Sequence, residues 1–137
     1  MSFNLFAQNS ETQYKTPEIN NYWLRAAPPN AMMQAAYAEL VNNTGHDLIL
    51  IGAYSPAFKM TEIHKTTITN GMAKMVHQPH LKIENGNTLH FSPGGLHIML
   101  MNPIIKFNQG DSIKINLIFM SGDKRTVLKT WFPVEKK

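Results

Sequence analysis

Ser112-Ile113-Lys114-Ile115-Asn116-Leu117-Ile118-Phe119 is the most regular stretch of the chain. Ile113, Ile115, Leu117 and Phe119 fall on one face of an extended segment, with Lys114 and Asn116 on the other. That is the period-two signature of a half-buried strand. The pattern recurs upstream, where Ala36, Ala38 and Leu40 alternate with Tyr37, Glu39 and Val41. Asn42-Asn43-Thr44-Gly45 then supplies a turn into a partner strand, Leu48 to Tyr54. Tyr22 to Ala26 reads as a short strand stopped by Pro28-Pro29, which cannot donate ladder hydrogen bonds. Phe58 to Thr69, Met72 to Gln78, Thr88 to Phe91, His97 to Met101 and Val127 to Phe132 add further strands. The expected fold class is all-β, a sandwich or barrel of about eight or nine short strands, with no helix longer than a turn or two.

A chain of 137 residues, 43% of them hydrophobic, fills one core and falls short of two. Residues 1–18 are polar and unpatterned and read as a flexible leader, leaving 19–137 as a single β domain. Met1 to Thr16 lacks the basic and apolar regions of a signal peptide, and no run approaches the roughly 18 apolar residues of a membrane span. The sequence therefore suits a cytoplasmic protein, or a mature exported domain whose signal has been replaced by an initiator Met.

Net charge is +4, but the 13 basic residues are scattered rather than gathered into a stripe that tracks phosphates, so nucleic acid is not an expected partner. Lys124, Arg125, Lys129, Lys136 and Lys137 are the densest basic group. A solvated edge strand and tail explain them more simply than docking to an acidic protein surface. The chain has no cysteine, which excludes disulfides, thiolate zinc sites, cysteine nucleophiles and blue-copper electron transfer. No G-x-S-x-G elbow, P-loop, H-E-x-x-H or close carboxylate pair is present, and the chain reads as a non-enzyme.

Nine methionines are many for this length, and the ordinary explanation is that Met fills irregular core gaps. Their coincidence with histidine is more informative, because thioether and imidazole together make a soft donor set suited to Cu(I). Asn70-Gly71 bisects the segment from Glu62 to Gln78 and favours a type I′ hairpin. With those residues in the loop, His64 sits opposite His77 and Met75 opposite Thr66. His64 and Met75 then become diagonal neighbours on one face, roughly 7–8 Å apart. Downstream, Pro93-Gly94-Gly95 releases the chain into Leu96-His97-Ile98-Met99-Leu100-Met101. His97 and Met99 share a face, Leu96, Ile98 and Leu100 take the core face, and Met101 has the parity of Met99.

His64, ten residues, Met75, twenty-one residues, then His97-Ile98-Met99 resembles the motif of the PCu(A)C copper chaperones in all three spacings. The resemblance extends from about Trp23 to Val134. It includes Trp23-Leu24-Arg25-Ala26-Ala27-Pro28-Pro29, Ala36-Tyr37, Asn42-Asn43-Thr44-Gly45, Glu62-Ile63-His64, Lys74-Met75 and Pro93 to Met101. It implies a cupredoxin-like Greek-key β-sandwich or barrel, with His64, Met75, His97 and Met99 as ligands and Met99 preferred over Met101. It also implies a periplasmic copper chaperone that carries Cu(I) to a copper-accepting protein, an oxidase copper-centre subunit or another copper chaperone, for cytochrome c oxidase assembly. Some members end in a His- and Met-rich tail, whereas this chain ends Pro133-Val134-Glu135-Lys136-Lys137, so no dedicated second Cu(II) site is expected.

Two thioethers disfavour zinc, and the motif lacks the oxygen donors of magnesium or calcium. His77 shares the face of His64 but has no place in the motif, leaving it a minor candidate for Cu(II). His46, His80 and His90 read as exposed loop or edge residues, while Met60 and Met72 are packing residues or part of a soft rim. A monomer is expected, releasing copper by ligand exchange at a surface-exposed site to a partner with thiolate donors. The competing readings are a metal-free β-sandwich interaction module, which uses the Met-rich edge, and a copper-sequestering or resistance protein without a delivery partner.

Overall fold

A computed structural model describes residues 15–137. It contains ten strands: β1 (Glu18–Arg25), β2 (Met33–Val41), β3 (Leu48–Tyr54), β4 (Phe58–Thr69), β5 (Met72–His77), β6 (Leu81–Ile83), β7 (Thr88–Phe91), β8 (Leu96–Pro103), β9 (Ser112–Ser121) and β10 (Lys124–Glu135). Most of the expected leader lies outside the described residues. Its last residue, Glu18, already pairs with Val41, so the first strand begins ahead of the Tyr22 start suggested by pattern. A bulge at Asn20 to Trp23, where Asn21 has φ 49°, interrupts the alternation there. The strand that pattern missed altogether, β6, has only three residues.

The strands form an open path, β5-β4-β8-β2-β1-β10-β9-β3-β6, with β7 paired to β2. Neighbours are antiparallel except β1 and β10, which run parallel through Leu24–Val134 and Arg25–Glu135. Both halves of the path feed one core. Leu24, Ala36, Leu40, Ile63, Ile98 and Leu100 come from one half, and Leu50, Ile115, Leu117, Phe119 and Phe132 from the other, all at most 2% exposed. A flat layer cannot bury a common cluster contributed by both its ends, so the path folds over as a sandwich. Ile113, Ile115, Leu117 and Phe119 are all buried, as their alternation requires. So are Ala36, Ala38 and Leu40.

The other face of the first half carries the soft donors. The hairpin β4–β5 turns at Asn70 (φ 53°) and Gly71 (φ 78°), both in the left-handed region that a type I′ turn requires. Its register pairs His64 with His77 and Thr66 with Met75. β4 pairs on its other side with β8, placing His64 opposite His97, Glu62 opposite Met99 and Met60 opposite Met101.

Candidate metal centre

Alternation along β8 sends Ile98 and Leu100 into the core and leaves His97 and Met99 on the opposite face. His97 and Met99 are nevertheless only 3% and 4% exposed, on a strand with β4 along one side and, at Met99, β2 along the other. The expected surface-exposed site is therefore corrected: its floor is buried. Beside it, His64 is half-buried and stands directly across from His97, with ring centroids 5.9 Å apart.

Each imidazole has one nitrogen committed and one free. His97 Nδ1 lies 3.1 Å from the Gly95 carbonyl, which can only accept, so Nδ1–H donates. His64 Nε2 lies 2.8 Å from Glu62 Oε1 and likewise donates to that carboxylate. These tautomers, assigned from the hydrogen bonds, leave lone pairs on His97 Nε2 and His64 Nδ1. Both atoms are buried and without a hydrogen-bond partner among the described residues. Leaving such a group unsatisfied costs about 1–3 kcal/mol, and a metal ion would satisfy both. In known metal sites, hydrogen bonds from imidazole N–H to a carbonyl or carboxylate of this kind orient the ring.

Burial pushes the His97 imidazole below its ordinary value of 6.5. The Gly95 bond opposes this shift and the neighbouring His64 adds to it. His97 is thus neutral at neutral pH and able to donate its lone pair. Among the described residues no three His, Cys, Asp or Glu side chains group to hold a metal.

The Met99 thioether lies two residues along from His97 on the same face. Met75 is placed differently. It is 54% exposed on the edge strand β5 and lies on the far side of His64 from Met99. On an untwisted sheet their Cα atoms would be roughly 16 Å apart. The structure brings His64, His97 and Met99 together and leaves Met75 at the rim of the hairpin. His77 faces His64 with ring centroids 5.8 Å apart. His46, His80 and His90 are exposed, with His90 Nδ1 3.8 Å from a Glu39 oxygen. Sequence reasoning missed Glu62, although its position two residues before His64 on a strand places both on one face.

The family described as "Putative lipoprotein LpqE-like" matches residues 18–130. The chain belongs to this family. Among relatives, "Putative lipoprotein Lxx21020" of Leifsonia xyli subsp. xyli is 32% identical over 122 residues, covering 88% of this chain and 72% of that protein. An uncharacterized protein of Rickettsia prowazekii is 32% identical over 94 residues, 68% of this chain. The match spans only about half of that protein, 52%.

Solved structures share the fold. The copper-bound PCuAC domain of PmoF2 superposes with a TM-score of 0.72 at 20% identity, covering 91% of this chain and 97% of that one. The Cu(I) solution structure of DR1885 from Deinococcus radiodurans gives a TM-score of 0.69 at 30% identity, covering 96% and 86%. The LpqE-like chain therefore has the all-β, cupredoxin-like fold of PCuAC domains. Among its described residues no helix is long and apolar enough to cross a membrane.

Proposed function

We propose that this LpqE-like protein is a non-enzymatic Cu(I) chaperone of the periplasm. It binds one ion through His64, Met75, His97 and Met99 and delivers it to a copper-accepting protein, with oxidase copper-centre assembly as the destination. The observation that carries the reading is the pair of imidazole nitrogens without a partner among the described residues, His64 Nδ1 and His97 Nε2, on facing residues beside the buried Met99. Two neutral imidazoles and two neutral thioethers favour Cu(I), and the Glu62 carboxylate behind His64 offsets the ion's charge. The Cu(I)-bound DR1885 and copper-bound PmoF2 domains support copper as the cargo, and the lipoprotein relatives support an extracytoplasmic setting.

The three inner ligands form the holding part of the site, and Met75 closes it. A two-stranded ribbon twists more strongly than a wide sheet, so the β4–β5 hairpin can curl and bring the long Met75 side chain over the ion. Release runs in reverse. Met75 lifts first, exposing the ion to thiolates of the acceptor while His64, His97 and Met99 still hold it.

An anaerobic competition titration against a chromophoric Cu(I) chelator tests the reading, on the wild type and on His64→Ala, Met75→Ala, His97→Ala and Met99→Ala, with Met72→Ala as control. One tight equivalent, lost or strongly weakened in the four variants and kept in the control, is expected. Absence of tight binding, or equal loss in all five variants, would leave an interaction module.

A further inference from the structure

The same face of the sheet carries a second group of soft donors. Met33 on β2 pairs with Met101 on β8, and Met101 pairs with Met60 on β4. Three methionines thus stand side by side across three adjacent strands, in register. On β4 and β8 they have the parity of His64, His97 and Met99, and so share the metal-facing surface.

Core filling does not explain them. Met33 is 60% and Met60 50% exposed, Met101 is half-buried, and none joins the hydrophobic core. In-register neighbours have Cβ atoms about 4.5–5.5 Å apart, and methionine has three flexible torsions beyond the backbone. The outer two thioethers can therefore lean toward a point above Met101, where the three sulfurs converge on one ion. A donor set of three neutral thioethers selects a soft monovalent d10 cation and gives no purchase to zinc, magnesium or calcium. Met99 lies two residues from Met101 in the same column, about 7 Å along β8, which links this row to the proposed holding site.

We propose that Met33, Met60 and Met101 form a second, weaker Cu(I) site on the sheet surface beside the His/Met centre. It rests on the strand register alone and stands whether or not His64 and His97 bind copper.

Ag(I), a redox-stable probe with the same preferences, tests it on the full chain carrying 13C-methyl methionine. In the wild type, the methyl signals of Met33, Met60 and Met101 should move together as a second equivalent binds. The same joint shift should persist in the His64→Ala/His97→Ala double variant. In Met101→Leu, which keeps the apolar volume, the Met33 and Met60 signals should no longer move together and the second equivalent should weaken by about tenfold or more. Failure of the three signals to move together in the wild type would overturn the proposal. So would an unchanged Met33 and Met60 response in Met101→Leu, or loss of the joint shift in the histidine double variant. Failure of the chaperone reading looks different, as a first equivalent indifferent to His64→Ala and His97→Ala.

Discussion

Replacing Glu62 with Ala removes the acceptor that holds His64 in one tautomer while leaving all four proposed ligands in place. The Glu62–His64 contact is 2.8 Å long, with side chains 29% and 17% exposed respectively. A hydrogen bond to a charged group contributes about 1.5–3 kcal/mol, and partial exposure brings this pair toward the lower end. Without it, Nδ1 of His64 is no longer fixed as the free lone pair and the ring can turn. Loss of such an outer-shell partner weakens metal affinity about 10–100-fold. Glu62→Ala should therefore lower Cu(I) affinity by that factor in anaerobic chelator competition, and Glu62→Gln, which keeps a neutral acceptor, by less. Unchanged affinity in Glu62→Ala would refute the positioning role. A loss as large as that of His64→Ala would instead make Glu62 a ligand.

Three further outcomes follow from the fold. His97 binds a proton less readily folded than unfolded, so its contribution to apoprotein stability is full above about pH 6.5 and declines as pH falls below that value. Urea midpoints should drop between pH 7.5 and 5.5, and less so in His97→Leu; equal slopes would contradict the assignment. Ile98→Ala, at 0% exposure directly beneath the site, should cost about 2–5 kcal/mol in urea denaturation. Gly71→Val forces a β-branched residue to φ 78°, at a cost of about 1–2 kcal/mol. It should also loosen the hairpin that carries Met75, weakening Cu(I) binding more than Ile98→Ala does under native conditions.

Local pattern made much of this legible. Asn70-Gly71 set the hairpin register, so the pairing of His64 with His77 and of Met75 with Thr66 is legible in the sequence. Alternation identified the buried sides of β2 and β9 and the core face of β8. The meeting of His64 with His97 was not readable from residues alone, because β4 and β8 are joined by no turn and their adjacency depends on the whole strand order. For the same reason the burial of His97 and Met99, the row Met33–Met101–Met60 and the remoteness of Met75 from Met99 emerged only with the sheet assembled. The short β6 escaped because three residues display no period, and its role is tertiary. It pairs with β3 and receives Asn42, whose buried amide donates to the Ile83 and His46 carbonyls.

X-ray absorption at the copper edge of the Cu(I)-loaded protein reads the proposed ligand set itself. A mixed shell of imidazole nitrogen and thioether sulfur is expected, with sulfur scattering reduced by Met75→Ala or Met99→Ala and imidazole scattering reduced by His97→Ala. A shell without sulfur, or one that none of these substitutions alters, would contradict it.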